Sequence, residues 1–99
     1  MNLWNFKTFF GEKNEDVCCF SVNTGLMAAM LEENNIKATF CGHDHNNDLY
    51  GDYFGIGLFY GRKTGHGGYG PPQHMKRGAR VLLFSMGAEG QLHFDTWIR

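Results

Sequence analysis

Apolar positions come in short runs, and their spacing changes along the chain. Val22, Leu26, Ala29/Met30 and Glu33 recur at three- and four-residue intervals, with Met27 and Leu31 widening the stripe. That period predicts a helix ending near Glu33, capped by Ser21, Asn23 or Thr24 and closed by Asn34-Asn35. Ile36 to Cys41 reads as a short β-strand entering Gly42. Residues 43–53 are polar and predict a loop. Phe54 to Tyr60 is a second strand, weakened by Gly55 and Gly57. Residues 61–78 form a long Gly/Pro loop. Ala79 to Ser85 and Gln91 to Ile98 predict strands joined by a turn at Ala88-Glu89-Gly90, a terminal hairpin. Before the helix, Phe9-Phe10-Gly11 reads as an apolar anchor and residues 12–16 as a solvated loop. The class is therefore mixed α/β, or α+β, with one helix, four strands and one loop too long for so small a unit. Such loops are usually functional or lean on another part of a structure.

Ninety-nine residues allow one small domain, a single unit spanning 1–99. Hydrophobic residues at 42% and charged residues at 19% place it among globular chains. Fourteen glycines point to many turns and close backbone approaches. The net charge of −1 excludes a protein held to nucleic acid or an anionic membrane mainly by charge. No apolar run is long enough for a membrane span. Met1 to Lys7 lacks a basic segment followed by an apolar run, so no signal peptide is read and a cytoplasmic location is favoured. Cys18, Cys19 and Cys41 make no disulfide framework, since the number is odd and the first two are adjacent; a pairing with Cys41 stays open.

The candidate chemistry lies in Phe40-Cys41-Gly42-His43-Asp44-His45-Asn46-Asn47-Asp48. A strand runs into glycine, and two histidines follow at i and i+2. In extended backbone those positions share a side, so both imidazoles can serve one centre or two adjacent ones. The plain alternative is a polar loop with two surface histidines. Other motifs fail: Asp44-x-Asn46-x-Asp48 lacks the glycine and terminal glutamate of a calcium loop. Gly65-His-Gly-Gly-Tyr-Gly70 meets Pro71-Pro72 and no helix. Gly61-Arg62-Lys63-Thr64 likewise lacks the helix of a phosphate loop. A zinc site from Cys18, Cys19, Cys41, His43 and His45 lacks a CxxC knuckle, and Cys41 is more simply a buried strand residue.

Gly42-His43-Asp44-His45 resembles the GHxH motif that closes the motif set of calcineurin-like metallophosphoesterases. Together with residues 21–26, Asn46-Asn47-Asp48, residues 60–65 and Gly78-Ala79-Arg80-Val81, it resembles the branch related to purple acid phosphatases, over the C-terminal part of that domain. The resemblance implies a four-layer core, two facing β-sheets with helices outside, of which this chain carries an incomplete part. It implies a phosphatase hydrolysing phosphomonoesters, phosphoproteins among them, with a metal-bound hydroxide. His43 and His45 would each bind one of two neighbouring ions (iron, zinc or manganese). Asp44 and Asp48 would be acceptors orienting the histidines, or would shape an Asx turn. Arg62 would contact substrate phosphate in a completed site. The family's upstream aspartates, asparagine-histidine motif and further histidine have no counterpart here. The expectation is a partial site, completed by a missing N-terminal portion, another polypeptide or self-association. A non-catalytic fragment is the alternative.

Overall fold

A computed structural model of the chain describes residues 9–19 and 22–99. The signal-peptide reading at Met1–Lys7 and the helix cap at Ser21 lie outside the described residues. A four-stranded sheet is built from β1 (Phe9–Phe10), β2 (Ala38–Cys41), β3 (Tyr50–Tyr53) and β4 (Ile56–Tyr60), in the order β1-β3-β4-β2. β4 runs antiparallel to β3 and parallel to β2. A separate hairpin pairs β5 (Arg80–Met86) with β6 (Leu92–Ile98). The one helix, α1, spans Leu26–Glu33.

Two of these strands do not read as strands in the sequence: β3 lies where it reads as loop, and β1 where it reads as an apolar anchor. β3 occupies the end of residues 43–53, joined to β4 by Phe54-Gly55, whose φ values are +49° and +84°. A type I′ two-residue hairpin needs left-handed backbone at both central positions. Here Phe54 takes a conformation that side chains rarely adopt, and Asp52 Oδ1 braces the turn by accepting the Gly55 amide at 3.1 Å. β1 adds Phe9-Phe10 along β3.

The faces of the four-stranded sheet differ. Ile56, Leu58 and Tyr60 alternate along β4 and are buried with Leu49 and Met75, forming the apolar core. The opposite face carries one aromatic residue per strand in a single register row: Phe10, Tyr50, Phe59 and Phe40. Neighbouring rings stack at centroid separations of 5.4, 5.5 and 5.0 Å. Phe94 of β6 meets Phe40 and Phe59 edge-on at 6.0 Å. The Arg80 guanidinium lies 5.3 Å from the Phe59 ring and 5.6 Å from that of Tyr50. These contacts join hairpin to sheet, but Phe10, Phe40 and Tyr50 stay exposed.

No residue of α1 is buried. Gly25, in left-handed backbone, takes the N-cap position without a side-chain hydrogen bond, so Thr24 is not the cap. Asn23 acts one step earlier, accepting the Gly25 amide at 2.9 Å. Asn34, left-handed at φ +54°, ends the helix as its sequence position predicts. Among the described residues the architecture is a small mixed α/β unit with apolar faces exposed, and the four-layer sandwich is not seen. No described helix is long and apolar enough to cross a membrane.

Candidate metal centre

The end of β2 delivers Gly42 and His43 into a loop that the core holds from below. Its acidic and amide side chains grip the segment before α1. Asp48 is buried; its Oδ1 accepts the Glu12 amide at 2.7 Å, while the Glu12 carbonyl accepts the Asp48 amide at 3.0 Å. Buried Asn47 accepts the amides of Asn14 and Glu15 through Oδ1 at 2.9 and 3.0 Å, and donates from Nδ2 to the Glu15 carbonyl. Asp44 Oδ2 accepts the Cys18 amide at 3.1 Å and the Tyr60 hydroxyl. Such buried polar groups are tolerable because they are paired. Burial, reinforced by the hydrogen bond to Asp44, pushes the Tyr60 phenol well above its ordinary value.

From the other side, residues 61–78 fold over the second histidine. Gly68 and Gly70 both have positive φ. A Cβ on Gly70 would lie 2.3 Å from Asn46 Oδ1 and 3.1 Å from His45 Cβ, so only glycine permits this approach. Tyr69, between them, stacks on the His45 ring at 4.3 Å and places its carbonyl 2.8 Å from Nδ1. A carbonyl only accepts, so Nδ1 carries the hydrogen and Nε2 of the neutral ring carries the lone pair. Metal-binding histidines are oriented in this way. Two further ties hold the loop: His74 Nε2 donates to Glu12 Oε2 at 2.8 Å, and Tyr69 donates to Glu15 Oε1 at 3.2 Å.

His43 is exposed and adopts φ +79°, a left-handed conformation costing on the order of 1–2 kcal/mol for a side chain with a Cβ. No group of three or more converging His, Cys, Asp or Glu donors among the described residues contains both histidines. Among the described residues, one set of three His, Cys, Asp or Glu side chains converges: donor atoms of Cys18, His43 and Asp44 lie within 4.8 Å of one another. Asp44 hydrogen-bonds to Tyr60 and Cys18, and to neither histidine ring.

Arg62 is placed differently from a free phosphate contact. Nε donates to Asp48 Oδ2 at 3.0 Å, Nη2 donates to the same oxygen, and Nη1 donates to the Lys76 carbonyl at 2.6 Å. Each guanidinium nitrogen thus has a protein partner. Arg80, which lies in the segment 78–81 but carries no assigned role there, is a second cation. It donates to the carbonyls of Tyr60 and Asp48 and to Thr96, and burial lowers its ordinarily very high pKa. The three cysteines are free thiols.

Comparison with known proteins bears on this loop. Over 95 residues, 96% of the chain, it is 38% identical to the Arabidopsis thaliana protein called "Probable inactive purple acid phosphatase 28". The chain is related to the purple acid phosphatases. It is also 37% identical over 60 residues to "Probable inactive purple acid phosphatase 14" and 33% identical over 76 residues to "Probable inactive purple acid phosphatase 29", covering 61% and 77% of the chain. Both are from the same plant. The chain spans only about a fifth of these purple acid phosphatase relatives: 22%, 15% and 19% of their lengths, in their C-terminal part. No family model matches the chain, and no solved structure matches it.

Proposed function

We propose that this chain forms the C-terminal portion of a dinuclear phosphoesterase fold. In this reading His43 and His45 each present one imidazole to a pair of iron, zinc or manganese ions, and the remaining ligands lie in polypeptide outside these residues. The observation that carries the reading is the fixed His45 ring, with Nδ1–H on the Tyr69 carbonyl and Nε2 left as a donor. Two imidazoles fit one ligand position on each ion but do not complete a centre. The nearby carboxylates of Asp44 and Asp48 hold backbone amides, Asp44 through Oδ2 and Asp48 through Oδ1. When bound, the ion pair would polarise a phosphomonoester and lower the pKa of water. This chain's residues contribute placement: Tyr60 and Asp44 hold the start of the loop, while Arg62 and Asp48 hold its end. The uncovered faces of α1 and of the aromatic row support a four-layer sandwich whose other layers are supplied elsewhere.

On this reading the 99-residue chain alone does not turn over phosphomonoesters. The non-catalytic alternative is favoured by the structural use of both aspartates, and the three relatives are each named probable inactive. The test is metal content after incubation with manganese, iron or zinc, alongside p-nitrophenyl phosphate hydrolysis by the wild type, His43→Ala and His45→Ala. The expected result is metal uptake that falls in both variants, with no hydrolysis. Hydrolysis by the wild-type chain that His43→Ala abolishes would overturn the incomplete-site claim. Uptake indifferent to both histidines would overturn their role as ligands.

A further inference from the structure

The segment before α1 brings a thiol to the first histidine. Cys18 lies far from His43 in sequence, and nothing in its own neighbourhood marks it as a ligand. The fold brings it there through one carboxylate: Asp44 Oδ2 accepts the Cys18 amide at 3.1 Å, pinning that backbone beside the residue that follows His43. Tyr60, buried in the core, donates to the same oxygen and fixes the carboxylate. Both hydrogen bonds fall on Oδ2, and among the described residues none reaches Oδ1. The left-handed backbone of His43 completes the approach, leaving sulfur, nitrogen and oxygen donors within 4.8 Å. Sequence-distant residues drawn together around a strained backbone position point to a shared ligand.

We propose that Cys18 is a metal ligand, and that its thiolate, the His43 imidazole and Asp44 Oδ1 hold one divalent transition ion of the zinc type. This rests on the reading of His43 as a ligand and adds to it a sulfur donor that His45 does not share. Tetrahedral bonds of roughly 2.0–2.3 Å require donors about 3.3–3.8 Å apart. With all three donors already within 4.8 Å of one another, closing to that spacing takes at most about 1–1.5 Å, which rotation of the exposed Cys18 and His43 side chains supplies. Binding converts the Cys18 thiol to thiolate and releases its proton to solvent, with no change of oxidation state. A thiolate, an imidazole and a carboxylate favour zinc or cobalt over calcium or magnesium. The hydrogen bonds from Tyr60 and the Cys18 amide orient the carboxylate as supporting contacts do in known metal sites.

Cobalt(II) titration of the full 99-residue chain tests this, because a cobalt–thiolate bond gives a near-ultraviolet charge-transfer band that histidine and carboxylate ligands do not. The expected result is one thiolate-ligated cobalt per chain, marked by that band, whether or not a second ion binds at His45. Cys18→Ser and His43→Ala should lose the band and weaken binding at least about tenfold. Cys19→Ser, Cys41→Ser and His45→Ala should keep it, and circular dichroism checks that each variant retains its fold. A band that survives Cys18→Ser and disappears in Cys19→Ser or Cys41→Ser overturns the assignment. Cobalt bound without the band, in a manner needing both His43 and His45, overturns the Cys18 role and leaves the two-histidine reading standing. No cobalt binding overturns both.

Discussion

Replacing Arg62 by alanine separates two roles for this guanidinium. If it is a structural cation, the cost follows from burial. The side chains of Arg62 and Asp48 are 13% and 6% exposed, and two guanidinium nitrogens converge on Asp48 Oδ2. Removing one partner of a buried pair strands the other charge, at about 3–5 kcal/mol. The Glu12 amide still donates to Asp48 Oδ1, which places the expected loss near the low end. At roughly 4–8 °C per kcal/mol for a domain of this size, a loss of about 3 kcal/mol lowers the melting temperature by about 12–24 °C. Urea unfolding followed by tryptophan fluorescence measures it. Adding Asp48→Asn removes the stranded carboxylate and should recover about 1–2 kcal/mol, a coupling that independent sites would not show. A stability within ~0.5 kcal/mol of wild type would refute the reasoning and return Arg62 to the role of a phosphate contact.

Gly70→Ala should cost about 1–2 kcal/mol from its left-handed backbone alone and loosen His45, seen as lost preference for the Nδ1–H tautomer by nitrogen NMR; unchanged stability and tautomer would contradict the packing described. The folded chain holds the Tyr60 phenol protonated more strongly than the unfolded chain does. Its stabilising contribution is therefore complete below the unfolded value of about 10 and is lost as pH rises beyond it. Wild type should lose stability above about pH 10 more steeply than Tyr60→Phe, and parallel pH profiles would count against the buried phenol. The Cys41 residue keeps exposed surface, but desolvation of its thiol, with the Asp44 charge second, pushes it up to about 11. Alkylation of Cys41 should rise with a midpoint near that pH, and a midpoint near the ordinary 9.0 would refute the shift.

The sequence patterns reported apolar period well and backbone exceptions poorly. The body of α1, the strands β2, β4, β5 and β6, and the open stretch 61–78 follow from spacing and glycine content. β3 was hidden because Tyr50-Gly51-Asp52-Tyr53 carries polar and small residues, and because Phe54 in a left-handed turn looks like the start of a strand. Phe9-Phe10 reads as an anchor, but nothing local shows its pairing with β3. At the site, the histidine pair and Asp44 are visible as a motif. The hydrogen bond from His45 to a backbone carbonyl leaves no trace in residue identity. The approach of Cys18 to His43 depends on a contact to Asp44 from 26 positions away, which no local pattern encodes.

The loop holding the histidines is secured by Asp44, Asn47 and Asp48, whose partners are amides, a hydroxyl and a guanidinium of the same chain. Contacts within the chain therefore already hold its shape. A descendant that stopped processing substrate would still be penalised for altering these letters, because misfolding would follow. Persistence of this signature in a genome is thus a record of architectural constraint, and by itself is no diagnosis of turnover.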